Sequence, residues 1–365
     1  STNSVALKFD NIAPTISHTL SPKPNADDWN KANVTVTFTA KDDDKGSGVA
    51  SVTAPVTVST ETAGQVVNGT AKDTAGNIGT DSVTVKLDKT APAISGTITA
   101  GTKTPSGWYN GPVTVSFTCS DALSGVATCP DPVILSANGA NTATGTVTDK
   151  AGNTATAQVG SINIDQEKPT LTTADVSVQG GVFPVGSVPA ATCTATDSFS
   201  GVASCTVTVT GGNAKGVGTF TYTATAVDRA GNTTTISGTY RVVYKFSGFL
   251  QPINDTAHQV GASTSIFKAG STVPVKFQLR NASGALMQAA TAPVWMTPVK
   301  GSAMSVPVDE TVYSPAGDSG TAFRYDATAQ QYIYNWKTGS TGGNYWRIGV
   351  TLDDGQTYYT NIGLR

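Results

Sequence analysis

The chain has 365 residues, of which 13% are charged and 38% hydrophobic, and its formal net charge is −2 at pH 7. This balance provides no basic face for a nucleic-acid partner. No apolar run reaches the roughly 18 residues that a membrane span requires. With two histidines and no Ser/His/Asp or Cys/His arrangement, nucleophilic catalysis has no visible base. We therefore expect no enzyme, no nucleic-acid partner and no membrane span.

One block of sequence occurs three times, which predicts three tandem domains of one fold. The sequence Asp-x-Ala-Gly-Asn stands at residues 73–77, at residues 149–153 and at residues 228–232. A self-similar period of this size is typical of repeat architectures rather than of a single large enzyme. We divide the chain into repeats at residues 10–88, 89–165 and 166–246, followed by a C-terminal region at residues 247–365.

Residues 1–9 are predicted to be a strand that belongs elsewhere. Their sequence is similar to residues 81–88, which should form the last strand of repeat 1. We expect residues 1–9 to close a repeat that lies upstream, or to act as a donor strand that completes another subunit.

Each repeat is predicted to be a compact seven-stranded β-sandwich. Short runs such as Val-Thr-Val-Ser-Phe at residues 113–117 alternate apolar with polar residues and are separated by turns, as expected of half-buried strands in two packed sheets. Each repeat opens on an aspartate and a nearby proline, and proline restricts φ. We therefore expect very short linkers and a semi-rigid, extended rod.

Two loops recur in every repeat. The first has an aspartate three residues before Ser-Gly-Val, at Asp44, Asp121 and Asp197. The second is a hairpin turn, in which Gly can adopt positive φ and the Asp side chain can accept bonds from turn amides. Its predicted structural residues are Asp73, Gly76, Asn77, Asp149, Gly152, Asn153, Asp228, Gly231 and Asn232.

The four cysteines form two short-range pairs. Cys119 and Cys129 flank the first loop of repeat 2, and Cys193 and Cys205 flank that of repeat 3. We predict a disulfide in each pair, of the kind that crosses a hairpin. A zinc site is disfavoured because no Cys-x-x-Cys occurs. Disulfides indicate an oxidising, extracellular location.

The repeated set of motifs resembles the bacterial immunoglobulin-like repeats of secreted and surface proteins. The resemblance rests on the Asp-x-Ala-Gly-Asn turn, the Asp-x-x-Ser-Gly-Val loop and the Asp-x-x-x-Pro linker, and it covers residues 10 to about 244. It implies a stalk or spacer role and no particular ligand.

The C-terminal region has a different character. Aromatic residues are denser there, and the segment Pro-Val-Lys-Phe at residues 274–277 resembles the core of the PxKF domain. That resemblance implies a β-domain at the end of a large secreted bacterial protein, without a defined biochemical role. The predicted fold is therefore all-β throughout.

The sequence allows two binding roles. Asp42, Asp43 and Asp44 form an acidic run, and Asp10, Asp88 and Asp165 lie at the domain joints. Oxygen ligands at a joint could bind Ca²⁺, although solvated turns explain the same residues and no cofactor is required. Trp336 and Trp346 lie in strand-like runs, where aromatic side chains fill a core more often than they stack on sugars.

These patterns favour a non-catalytic structural segment of a secreted, surface-located bacterial protein, which spaces, displays or attaches an upstream enzyme or adhesive head. Two alternatives stay open: a subunit of an extracellular fibre assembled by strand exchange, and a carbohydrate-binding accessory module of a secreted glycoside hydrolase. The expected partners are upstream domains of the same polypeptide, cell-wall or extracellular polysaccharide, or like subunits. Aspartate pairs could serve a glycosidase, but they lie at turns that the repeats share, so any active site is expected upstream.

Overall fold

The computed structural model describes residues 9–253, 265–301 and 319–364. The predicted strand at residues 1–9 lies, except for Phe9, outside the described residues. The chain separates into two compact units, Ser1–Glu167 and Lys168–Arg365. Within the described ranges the regular structure is β-strand, apart from one 3-10 turn at Thr173–Asp175.

Repeat 1 is a seven-stranded sandwich, as predicted. A three-stranded sheet in the order β1-β3-β5 packs on a four-stranded sheet in the order β2-β7-β6-β4. The strands are β1 Thr15–Ser21, β2 Trp29–Asn30, β3 Val34–Lys41, β4 Val49–Val52, β5 Val56–Val58, β6 Thr62–Asp73 and β7 Ile78–Leu87. The alternation in the sequence puts Val34, Val36 and Phe38 into the core, where β7 contributes Leu87.

Repeat 2 has the same arrangement. Its sheets have the orders β12-β10-β8 and β11-β13-β14-β9. The strands are β8 Ala93–Ala100, β9 Trp108–Tyr109, β10 Val113–Ser120, β11 Val126–Thr128, β12 Val133–Leu135, β13 Gly139–Asp149 and β14 Thr154–Ile164. The core contains Val113, Val115 and Ile164, at positions that correspond to Val34, Val36 and Leu87 of repeat 1.

Repeat 3 departs from the prediction. It keeps one four-stranded sheet, β15-β18-β17-β16, built from β15 Val182–Pro184, β16 Val202–Gly211, β17 Gly218–Asp228 and β18 Thr233–Val243. The second sheet is reduced to isolated bridges, Thr170 to Thr196 and Val176 to Cys193. The segment that leads to Cys193 contains Pro189, and proline cannot donate to a strand ladder.

The C-terminal region forms two further sheets, as its aromatic, strand-like sequence predicts. Their orders are β19-β21-β25-β24, with β22 beside β21, and β20-β27-β26-β23. The strands are β19 Lys245–Leu250, β20 Ser265–Phe267, β21 Thr272–Arg280, β22 Leu286–Met287, β23 Val294–Gly301, β24 Arg324–Asp326, β25 Gln331–Lys337, β26 Asn344–Thr351 and β27 Thr357–Leu364.

Repeat 3 and the C-terminal domain share one hydrophobic core. The same cluster holds Tyr222 and Tyr240 of repeat 3 together with Phe277 and Trp336 of the C-terminal domain. The hairpin turn between β26 and β27 reaches back to repeat 3, where Asp353 Oδ2 accepts a bond from Asn213 Nδ2 (3.0 Å). Repeat 3 is therefore stabilised by its neighbour as well as by its own sheet.

Both predicted disulfides are confirmed. Cys119 is bonded to Cys129 and Cys193 to Cys205. Their placement differs from the prediction, because neither bond crosses a hairpin. Cys119 lies on β10, whereas Cys129 follows β11 in the other sheet of repeat 2. Cys193 lies in the bridge segment and Cys205 on β16, so this bond connects the reduced sheet to the complete one.

Removing the disulfide of repeat 2 should destabilise that repeat by roughly 2–3 kcal/mol, because a short covalent loop restricts the unfolded chain. The change is Cys119→Ser with Cys129→Ser, and the free energy of unfolding is measured by urea denaturation. Ser51→Ala with Ser59→Ala, at two exposed positions of repeat 1, is the control. Equal stability of the cysteine variant and the native chain would contradict this.

Asp354, in the turn that reaches repeat 3, should make the C-terminal domain less stable as the pH rises. The side chain is 1% exposed, and burial raises its pKa, while bonds from the backbone N–H groups of Gln356 and Tyr244 oppose the rise. A carboxyl whose pKa is raised on folding contributes most stability when protonated, and loses it as the pH rises through the folded pKa.

The test compares the native chain with Asp354→Asn between pH 4 and pH 7. The native free energy of unfolding should fall relative to that of Asp354→Asn as the pH rises. Trp29→Phe with Trp108→Phe leaves Trp295, Trp336 and Trp346 as fluorescent reporters, all within the C-terminal domain. Parallel pH profiles of the free energy of unfolding in the native chain and in Asp354→Asn would refute the expectation. Asp326→Asn serves as the control.

Candidate cation site at the repeat joints

Asp88 is the last residue of repeat 1 and the first of three aspartates that meet at the joint with repeat 2. Its backbone N–H donates to the carbonyl of Asn30 (2.9 Å), which fixes it at the end of β7. Its carboxylate accepts bonds from the N–H groups of Thr90 and of Ser124 (both 3.0 Å). Asp88 is fully buried, and its side chain connects the two repeats.

Asp121 lies in the Ser-Gly-Val loop of repeat 2. Its Oδ1 accepts bonds from the N–H of Gly125 (2.6 Å) and the N–H of Leu123 (3.1 Å). Gly125 has a φ of 80°, a conformation that glycine adopts without a steric penalty. The loop therefore closes around one oxygen of Asp121.

Asp149 comes from the Asp-x-Ala-Gly-Asn turn. Oδ1 accepts the backbone N–H of Asn153 and Oδ2 the Asn153 side-chain amide, both at 2.8 Å. The same amide donates to the carbonyl of Asp88 (3.0 Å), so Asn153 connects the turn to the linker. Gly152, with a φ of 90°, provides the positive φ that the sequence pattern predicted.

The three carboxylates form a compact acidic cluster. Asp88, Asp121 and Asp149 each provide an oxygen, and these oxygens lie within 4.8 Å of one another. Asp149 is only 1% exposed. Within the described ranges, no lysine or arginine forms an ion pair with any of the three. Like charges brought together away from water repel strongly unless a cation or a proton neutralises them.

The cluster fits a hard divalent cation. Ca²⁺ takes oxygen ligands at about 2.3–2.6 Å, so two ligands on opposite sides of the ion are up to roughly 5 Å apart, and oxygens that lie within 4.8 Å of one another fall inside that limit. The carboxylate oxygens of Asp88, Asp121 and Asp149 would hold the ion. An ion here would offset two of the three negative charges and connect the linker to two loops of repeat 2.

The same arrangement occurs at the start of repeat 1. Asp10, Asp42 and Asp73 also place one oxygen each within 4.8 Å of the others. Asp73 accepts bonds from Gly76 and Asn77, as Asp149 does from its turn. The Ser47 backbone N–H donates to Asp10 at 2.7 Å, and this bond is the main cause of a lowered pKa of Asp10.

The alignment of Asp44 with Asp121 is wrong. Asp42, and not Asp44, accepts the bond from Gly48 (2.6 Å) that corresponds to the bond from Gly125 to Asp121. The loop of repeat 1 is two residues longer, so counting back three residues from Ser47 ends on the wrong aspartate. Asp44 is highly exposed and lies 3.8 Å from Lys41, and Asp43 is also exposed. Of the acidic run, only Asp42 joins the cluster.

Repeat 3 carries the corresponding residues. Asp197 accepts the N–H of Gly201 (2.7 Å), and Asp228 accepts the backbone and side-chain N–H groups of Asn232 (both 2.8 Å). Asp165 stands at the linker position in the sequence.

Direct contacts also hold repeat 1 against repeat 2. Asn25 Nδ2 donates to the carbonyl of Lys150 (2.7 Å), and Lys31 Nζ donates to that of Gly152 (3.4 Å). Both acceptors belong to the turn that carries Asp149. The turn thus provides Asp149 to the acidic cluster and also accepts hydrogen bonds from the preceding repeat.

Trp336 and Trp346, the candidate sugar-facing residues, are both buried. Trp336 is 0% and Trp346 7% exposed, and their ring centroids lie 6.2 Å apart. Alternation along β25 and β26 directs both rings into the core, so neither ring is available to stack on a sugar. The described residues include no helix long and apolar enough to cross a membrane.

Comparisons with known proteins give structural likeness only. No protein-family model matches the chain, and no curated protein matches it. The PxKF resemblance of the C-terminal domain therefore stays a prediction.

Several solved structures are similar in part. An adhesin from an Antarctic bacterium, described as Ca²⁺-stabilised and ice-binding, is 16% identical over 98% of this chain and 99% of its own, with a TM-score of 0.31. A tandem-repeat segment from the extending region of a large adhesion protein is 17% identical over 97% and 100%, with a TM-score of 0.29. Invasin, a bacterial integrin-binding protein, is 12% identical over 96% and 79%, with a TM-score of 0.33. Such low scores carry no conclusion about what this chain binds.

Proposed function

We propose that the chain is a non-catalytic, extracellular structural segment of a bacterial surface protein, in which Ca²⁺ at the repeat joints fixes one domain against the next. Two disulfides support an extracellular location. The observation that carries the proposal is the buried cluster of Asp88, Asp121 and Asp149 at the joint.

The joint cluster supports a mechanical role because its ligands come from both sides of the linker. Asp88 ends repeat 1, while Asp121 and Asp149 belong to two loops of repeat 2. A cation held by all three would resist bending at residues 88–92 and would resist separation of the loops under tension. In its absence, mutual repulsion would loosen the same joint.

Single-molecule force spectroscopy tests this function on the whole chain. In Ca²⁺, the forces at which the repeats unfold should rise well above those in a chelator, and Mg²⁺ should substitute poorly because it demands a tighter octahedral site. Identical force distributions in Ca²⁺ and in chelator would overturn the role of the ion.

Phe9 precedes the linker residue Asp10 as Leu87 precedes Asp88; Phe9 is 90% exposed, whereas Leu87 is fully buried. We propose that a preceding repeat of the same polypeptide covers Phe9. Light scattering tests the fibre alternative: a monomer at all concentrations would exclude it, whereas concentration-dependent polymers that are lost in Phe9→Ser would support strand exchange.

A further inference from the structure

Strand β16 forms a long, open edge of the sheet of repeat 3. It runs over the ten residues Val202–Gly211 and stands last in the strand order β15-β18-β17-β16. Within residues 9–253, 265–301 and 319–364, no strand other than β17 pairs with it, and the isolated bridges of repeat 3 do not include it. The backbone N–H and C=O groups on the outer side of an edge strand can pair with a further strand.

The corresponding strands of repeats 1 and 2 leave this edge after a few residues. Each begins at the valine of Ser-Gly-Val, and β4 ends at Val52 and β11 at Thr128. A proline follows, Pro55 in repeat 1 and Pro130 in repeat 2, and the chain then enters the other sheet as β5 or β12. Strand β16 contains no proline and remains beside β17 over its whole length. Repeat 3 therefore has a longer free edge than the other two repeats have at this position.

The edge lacks the residues that keep natural sheets from pairing with each other. Charged side chains and prolines are the usual protection of an edge strand. The sequence of β16 is Val-Ala-Ser-Cys-Thr-Val-Thr-Val-Thr-Gly, which contains neither. Thr206, Thr208 and Thr210 are exposed, and Val209 is 38% exposed. Strand β16 thus presents backbone hydrogen-bonding groups that are flanked by small, uncharged side chains.

The two faces of β16 differ, which makes the edge self-complementary. Cys205 and Val207 are half-buried and pack against the core that repeat 3 shares with the C-terminal domain. The threonines lie on the opposite face and are paired in register with threonines of β17: Thr206 with Thr225, Thr208 with Thr223 and Thr210 with Thr221. When two copies of β16 pair antiparallel about a two-fold axis normal to the sheet, the core-side faces of both copies lie on one side and the threonine rows on the other.

The absence of charge in β16 favours a second copy of the chain as the partner. Like charges that lie opposite each other on paired strands are destabilising, so a charged edge strand is prevented from pairing with itself. Because β16 contains no charged residue, antiparallel self-pairing brings no like charges together within the strand. The pairing also continues the threonine rows into the second sheet, where cross-strand threonine pairs add stabilisation.

We propose that β16 is a self-association edge, through which repeat 3 pairs antiparallel with repeat 3 of a second copy, so that two four-stranded sheets become one continuous sheet. The pairing goes beyond the proposed structural function, because it adds a contact between two copies of the surface protein. It does not involve the aspartates of the repeat joints, so its failure would leave the calcium response there unchanged.

Sedimentation equilibrium of the full chain in chelator tests the pairing, at concentrations from about 10 μM to about 1 mM, where small interfaces associate. The native chain should be in equilibrium between monomer and dimer, and it should stop at the dimer because a two-fold pairing uses the same edge of both copies. Thr208→Lys and Thr208→Glu should each weaken the association about tenfold or more, because like charges then meet across the pair. An equimolar mixture of these two variants should associate again.

Ser237→Lys is the matched control, because Ser237 is exposed in the same row as Thr208 and Thr223 but lies on β18, two strands from the edge. It should associate as the native chain does, and so should Phe9→Ser. Thr208→Lys changes an exposed side chain, so an unchanged melting temperature separates loss of pairing from loss of fold. A monomer over the whole concentration range, native association in Thr208→Lys, no association in the mixture, or a loss in Ser237→Lys would each overturn the proposal.

Discussion

Trp336→Ala should destabilise the C-terminal domain by about 3–5 kcal/mol, the usual cost of truncating a large buried aromatic side chain. Trp336 is fully buried and lies between Trp295 and Trp346, with ring centroids 6.1 Å and 6.2 Å away. The cavity left by the indole could not be filled by either neighbour without moving a second ring. Because the core continues into repeat 3, we expect that repeat to lose stability as well.

Trp336→Phe is the informative companion variant. The indole Nε1 of Trp336 is buried without a hydrogen-bond partner in the described structure, so phenylalanine removes an unsatisfied donor while it keeps most of the apolar ring. Its loss of stability should be much smaller than that of Trp336→Ala. Urea denaturation in the Trp29→Phe, Trp108→Phe background measures both. A loss below about 1 kcal/mol for Trp336→Ala would contradict a core role.

Asp121→Asn should abolish the stabilisation of repeat 2 by Ca²⁺. At a free Ca²⁺ concentration of about 100 times Kd, binding to the native state adds roughly 2.7 kcal/mol, which corresponds to a rise in melting temperature of roughly 10–20 °C for a domain of this size. Sites in extracellular modules have Kd values of about 10⁻⁴–10⁻³ M. Differential scanning calorimetry in Ca²⁺ and in chelator measures the rise.

Asp121 is the best position for this change because only its Oδ1 accepts the loop bonds. Asparagine keeps that acceptor and removes the charge, so the loop should still close. In chelator the variant should be as stable as the native chain or more so, because one of three clustered charges is gone. Asp131→Asn, at an exposed position outside the cluster, should keep the full Ca²⁺ response. A native-sized response in Asp121→Asn would exclude the cluster as the site.

Much of the fold could be predicted from the sequence, because local patterns in repeats 1 and 2 agree with their tertiary structure. Alternation in residues such as Val113 and Val115 sets their burial directly. The cysteine pairing could be predicted because each pair flanks the Ser-Gly-Val loop of its repeat, Cys119 with Cys129 in repeat 2 and Cys193 with Cys205 in repeat 3. The reduced sheet of repeat 3 could not be predicted, because its stability depends on a core shared with the C-terminal domain and on contacts such as Asn213 with Asp353, which are distant in sequence.

The candidate site was predicted only in part. The linker aspartates were recognised as possible ligands, but Asp73 and Asp149 were assigned to turns alone. Their side chains serve the turn and the cluster at once, which no local pattern reveals. The sequence did contain a signal: each repeat has an aspartate at the linker, one in the Ser-Gly-Val loop and one in the Asp-x-Ala-Gly-Asn turn, and all three recur from repeat to repeat. The spacing of three residues before Ser-Gly-Val indicated Asp44 in place of Asp42, because the loop of repeat 1 is two residues longer than that of repeat 2.

Calorimetric titration of Ca²⁺ into the metal-free full chain tests the cation joint most directly. The account predicts saturable binding heat from more than one site, with one site fewer in Asp121→Asn and no change in Asp131→Asn. No binding heat at millimolar Ca²⁺, together with an unchanged melting temperature, would contradict it and leave the clustered aspartates as turn and linker residues alone.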